Sequence, residues 1–208
     1  MRRQRIGLAV GLALTALALR PALPADDEGF KPLFNGKDLS GWVQPEDKTI
    51  FSVEDGEIVG RTKQGQLKKN EFLVTDRDFG DFVLKAKVKI RSGNSGIQFR
   101  SKRAESGAVS GPQADAAPGY WGLLYEERGR GILERYPPEK AADLVKEGDW
   151  NAFVITAKGD RVTIDLNGTR VIDRTDPKFA KSGIIALQTH AGPPMEVRFK
   201  DIEIKALD

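Results

Sequence analysis

The chain has 208 residues, 39% hydrophobic and 30% charged, enough to bury the core of one sizeable domain. Four of its arginines lie in the first 25 residues, which hold no lysine or acid. The formal charge of +3 therefore falls to −1 over the remaining 183, leaving no basic tract for nucleic acid. Cysteine is absent, which excludes disulfides, a thiol nucleophile, a thiolate metal cage and an acylated-cysteine anchor.

Arg2, Arg3 and Arg5 open the chain, an uncharged apolar run spans Ile6 to Leu19, and RPALPAD offers small residues around Ala25. This order predicts a secretory signal peptide over 1–25, a single domain over 26–208, and export to the periplasm or outside the cell. The apolar run is shorter than the ~20 residues of a spanning helix, so no membrane span is expected after its removal.

Beyond it, almost every periodic segment repeats every second residue. FSVEDGEIVGR is two strands around Asp55-Gly56. FVLKAKVKI (82–90) alternates Phe82, Leu84, Ala86, Val88 and Ile90 with Val83 and three lysines, a strand buried on one face. PPEKAADLVKEG (137–148), opened by prolines and closed by glycine, predicts the one short helix. WNAFVITAKG, RVTIDLNGTRVID with its Asn167-Gly168 turn, SGIIALQTH and MEVRFKDIEIKAL complete the strands. Many short strands without a βαβ rhythm predict an all-β fold, an antiparallel β-sandwich.

Alternation then groups the polar side chains. If Ile97 and Phe99 of NSGIQFRS face the core, Gln98 and Arg100 face away from it. The same parity pairs Gln113 with Asp115 in PQAD, and Gln188 with His190 in ALQTH. His190 is the only histidine, the one ordinary side chain that exchanges a proton near neutral pH, and it sits at a strand end before a Gly-Pro-Pro turn. GYWGLLYEERGR contributes Tyr120, Trp121 and Tyr125 as faces for sugar rings, with Trp121, Leu123 and Tyr125 on one parity. Glu126, Glu127 and Glu134 are candidate acids or bases.

One histidine without cysteine cannot build a zinc cage, and no cofactor motif is present. An oxygen-rich Ca²⁺ or Mn²⁺ site stays open. No Glu-x-Asp-x-Glu run appears, so the signature of a two-carboxylate glycosidase is missing.

FKPLFNGKDLSGW, FSVEDGEIVG, NSGIQFRS, GYWGLLYEERGR and SGIIALQTHAGPPMEVRFKDIEIKAL together resemble the 3-keto-disaccharide hydrolase domain family, from about Gly29 to Leu207. The resemblance implies a concanavalin-like jelly roll acting on small carbohydrates oxidised at C3. The ketone acidifies the C2 proton, a base removes it, the C1 substituent leaves, and water adds to the unsaturated sugar. Within this scheme Arg100 stabilises the developing oxyanion, unless a divalent metal does so, and Gln98 positions hydroxyls. Asp115 or Glu126 serves as the base, and His190 as the acid or a second base. Gln113, Tyr120, Trp121, Tyr125 and Gln188 contact the sugar. The alternative from another class is a carbohydrate-binding, lectin-like module without turnover, which the same aromatic and polar groups would serve.

Overall fold

The computed structural model describes residues 28–207; the expected signal peptide over 1–25 lies outside the described residues. The first strands are β1 (Lys31–Pro32), β2 (Trp42–Val43), β3 (Phe51–Glu54), β4 (Glu57–Thr62) and β5 (Glu71–Thr75). The middle of the chain forms β6 (Phe82–Ser92), β7 (Ser95–Arg103), β8 (Val109–Ala116), β9 (Leu123–Glu127), β10 (Gly131–Arg135) and helix α1 (Pro138–Leu144). The last strands are β11 (Asn151–Lys158), β12 (Arg161–Leu166), β13 (Thr169–Thr175), β14 (Ile184–Thr189) and β15 (Met195–Ala206).

They form two antiparallel sheets. One has eight strands, ordered β13-β12-β11-β6-β15-β4-β3 with β1 beside β15; the other has seven, ordered β10-β9-β8-β7-β14-β5-β2. The described residues form the expected all-β sandwich with one short helix.

The period-two pattern explains the layers. Phe82, Leu84, Ala86 and Val88 of β6 and Phe153, Ile155 and Ala157 of β11 meet Ile97, Phe99, Leu124 and Leu187 of the opposite sheet. Each fully buried large apolar side chain contributes roughly 1.5–3 kcal/mol. At Gly60 of β4 the sheets approach closely: a Cβ there would lie 2.7 Å from a methyl of Thr189 on β14. The hairpins turn where expected, with φ of 52° and 76° at Asp55-Gly56 and 49° and 84° at Asn167-Gly168.

Helix α1 is shorter than the pattern suggested, and Val145 is already extended. Just past its end the Asn151 side chain accepts from the Lys146 N–H at 2.9 Å and donates to the Lys146 carbonyl at 3.0 Å, so neither group continues the helical ladder.

Candidate active site

On the seven-stranded sheet, the face turned away from the core carries a cleft of about 260 Å³. The pairing register assembles its floor. Gln98 of β7 stands opposite Gln113 of β8, which stands opposite Tyr125 of β9, which stands opposite Ile132 of β10. Two residues along β8, Asp115 reaches the same face, and β14 supplies Gln188 with His190 just past its end.

Gln113, Asp115, Tyr120, Tyr125, Gln188 and His190 all line this cleft. Gln98 lies beneath it, fully buried, with its amide donating to Gln113 Oε1 at 3.3 Å. Gly96 makes room for that arrangement, since a Cβ there would fall 2.6 Å from the Gln113 side chain.

Asp115 is 6% exposed, and burial pushes its carboxyl from 3.8 up to about 7. The Gln113 amide, 2.5 Å from Oδ1, favours the anion and opposes that shift. The charge of Glu127 adds to the rise, and Arg135 counteracts it. His190 is exposed, and its Nδ1 lies 2.6 Å from the Ala191 carbonyl. A carbonyl only accepts, so Nδ1 donates and Nε2 is the nitrogen left for a ligand.

Three expected site residues stand elsewhere. Arg100 does not share a face with Gln98, because β7 is irregular between Gln98 and Lys102 and Arg100 has φ of 45°. Its guanidinium, 1% exposed, donates to the carbonyls of Gly80, Gly159 and Ala180 and to Asp81. Burial lowers its pKa, and every one of these acceptors is part of the fold.

Glu126 faces the other side of β9 from Tyr125. It binds Arg130 through both oxygens, which holds its carboxyl below the ordinary range. Trp121 precedes β9 in a turn where Gly119 and Gly122 have φ of 77° and 75°, so the strand parity does not extend back to it. It is buried, stacked 5.9 Å from Phe153.

Asn70 and Arg135 were not foreseen, whereas Glu127 was among the candidate acids and bases. Glu127 follows Tyr125 at the strand period and lines the cleft, a position the alternation of β9 already implied. Asn70 ties two walls together, donating to Glu127 Oε1 at 3.4 Å and accepting from the Ala191 N–H at 3.0 Å. Arg135 pairs with Leu123 across β9–β10, and its guanidinium carbon lies 5.8 Å from the centre of the Tyr120 ring. The bulge between Ile132 and Glu134 puts Ile132 and Arg135 on one face although three positions separate them, which alternation alone does not give.

Among the described residues, no group of three or more His, Asp or Glu side chains converges in a way that could hold a metal ion. Nor is any of their helices long and apolar enough to cross a membrane.

The 3-keto-alpha-glucoside-1,2-lyase-like domain family matches residues 29–205. The chain belongs to this family. No curated protein matches it in sequence. Among solved structures, a protein of Parabacteroides distasonis ATCC 8503, provisionally described as a glycosyl hydrolase, is 26% identical with a TM-score of 0.65, covering 88% of this chain and 96% of its own. A Bacillus licheniformis beta-glucanase shares the fold at 9% identity and a TM-score of 0.59, over 86% of this chain and 97% of its own. A carbohydrate-binding module of Bacillus subtilis does so at 16% identity and 0.53, over 86% and 96%. The 3-keto-alpha-glucoside-1,2-lyase-like domain is thus built on a jelly-roll sandwich of a kind found in carbohydrate-active proteins.

Proposed function

We propose that the protein is an exported enzyme that cleaves glycosides oxidised at C3, by elimination across C1–C2 followed by addition of water. The basic, apolar and small-residue order at the start of the chain supports export. Family membership supports the substrate class. The observation that carries the reaction is Asp115: a buried carboxyl whose pKa of about 7 makes it a far stronger base than a solvated aspartate.

The roles follow from the cleft. Gln113 holds Oδ1 of Asp115 and leaves Oδ2 to take the proton from C2. The C–H electron pair moves toward C3 and places negative charge on the C3 oxygen. Arg135, whose guanidinium lies over the Tyr120 ring, stabilises that charge in place of Arg100. As the carbonyl re-forms, the C1=C2 double bond forms and the C1–O bond breaks. The departing oxygen takes a proton from Nε2 of His190 in its imidazolium form, in which Nδ1 keeps its bond to the Ala191 carbonyl. Water then adds at C1 and a proton returns to C2, giving the free 3-keto sugar. Tyr120 and Tyr125 flank the ring, and Gln188 and Asn94 address its hydroxyls.

The test is incubation of purified protein with methyl 3-keto-α-glucoside. Methanol release that falls about 10²-fold or more in Asp115→Asn supports the reading. Saturable sugar binding without turnover in the parent protein would make it a binding module.

A further inference from the structure

A second hollow, about 460 Å³, opens at the end of the sandwich beneath helix α1. Its walls are largely apolar: Ile90 of β6, Pro118 and Trp121 of the turn before β9, and Ala141, Ala142 and Val145 in and just after α1. Arg91, Lys146 and Glu147 on its border are exposed to solvent, and the buried polar side chain that borders it is already engaged. The side chain of Asn151, 1% exposed, is shared among Lys146, Asp149 and Asn167, and the Gly148 carbonyl accepts from Arg91 at 3.4 Å. A chamber with largely apolar walls, whose buried polar side chain is already satisfied, favours an apolar occupant.

The chamber abuts the cleft at two places in the chain. Gly119 and Trp121 line the chamber, while Tyr120 between them lines the cleft. Gly93 lines the chamber and Asn94 the cleft. The left-handed backbone at Gly119 and Gly122 turns two consecutive aromatic side chains to opposite sides of one wall. Successive Cα atoms are ~3.8 Å apart, so the partition is about one residue thick. That thickness is comparable to the span from a sugar C1 across its glycosidic oxygen to the first atoms of the substituent.

We propose that this chamber receives the leaving group of the substrate, and that the leaving group is a flat aromatic alcohol. The assignment rests on the lyase reading of the neighbouring cleft. The glycosyl ring sits over Gln113 and Asp115, its C1 substituent crosses the wall between Tyr120 and Asn94, and the aromatic ring lies against Trp121 and α1. The bonds made and broken are those of the proposed elimination, and the aromatic alcohol leaves with the proton from His190.

The test compares 2-naphthyl and methyl 3-keto-α-glucosides as substrates, and follows 2-naphthol alone by quenching of indole fluorescence. Ala142 is exposed on α1, so Ala142→Phe fills the chamber without touching the core. It is expected to lower the naphthyl-to-methyl ratio of kcat/KM roughly 10-fold and to weaken 2-naphthol binding in parallel. Val145→Ser, which wets the opposite wall, should move both readouts the same way. Equal effects on the two substrates, or naphthol binding unaffected by either change, would overturn the proposal. Naphthol binding that responds to both variants, with no turnover of either glycoside by the parent protein, would refute the lyase reading and the leaving-group role together. The chamber would then be an aromatic-binding site in its own right.

Discussion

The side-chain amide nitrogen of Gln113 lies 2.5 Å from Oδ1 of Asp115. A carboxylate can only accept, so the charge on Asp115 sets which way the Gln113 amide points. Gln113 Oε1 then faces Gln98, which must present its own NH₂ at 3.3 Å, while Gln98 Oε1 has no partner among the described residues. The same Gln113 nitrogen is 3.4 Å from Gln188 Oε1. One buried carboxylate thereby orders three glutamine amides across β7, β8 and β14.

Ionising Asp115 has a price in stability whose sign follows from its raised pKa. The folded state favours the neutral acid, so the penalty is absent below pH 3.8, grows as pH rises, and is complete above about 7. A shift of this size corresponds to about 4 kcal/mol at most. Asp115→Asn should therefore raise the melting temperature more at pH 8.5 than at pH 5, in paired thermal melts. In the parent protein the acidic limb of the kcat/KM profile should rise toward about 7, because the ionised carboxylate is the working base.

Arg100 is expected to matter for folding and not for turnover. Arg100→Met strands Asp81 and three carbonyls, at a cost of about 3–5 kcal/mol in urea unfolding. Activity per folded molecule should stay within about two-fold of the parent, far from the 10²–10³-fold loss of an oxyanion-stabilising group.

Neighbouring glutamates should separate cleanly. Glu127→Gln alters the cleft and its tie to Asn70, and should lower kcat/KM by about 10-fold or more. Glu126→Gln removes a pair with Arg130 outside the cleft. It should cost about 1 kcal/mol in denaturation with kcat unchanged.

Arg135→Gln should reduce kcat roughly 10²-fold with a smaller effect on KM, because its charge is used as the enolate forms. Steady-state kinetics with and without a chelator complete the test. Unchanged activity in chelator agrees with the arginine role, whereas loss restored by Mn²⁺ or Ca²⁺ would assign the task to a metal.

Strand alternation made much of this arrangement legible. Gln98, Gln113, Asp115 and Gln188 are on strands whose apolar residues fix the inner face, so their own direction follows. Parity failed where the backbone leaves the pleat. The irregularity and left-handed φ at Arg100 send it into an internal ion pair, and the glycine-flanked turn at 119–122 sends Trp121 into the core. Arg135 escaped notice because a bulge in β10 shifts its parity, and Asn70 because it lies before its strand and acts through hydrogen bonds distant in sequence. Glu127, named from the sequence as a candidate acid or base, lines the cleft because it continues Leu123 and Tyr125 at the strand period.

The most direct measurement is hydrolysis of methyl 3-keto-α-glucoside in D₂O, followed by proton NMR at C2 of the released sugar, over times short enough that uncatalysed exchange is negligible. Abstraction by Asp115 and re-addition of water predict methanol release with solvent deuterium at C2, and both are expected to vanish together in Asp115→Asn. Methanol release with the original C2 proton retained, and undiminished in Asp115→Asn, would contradict the account, because the C1–O bond would then have been broken without abstraction at C2.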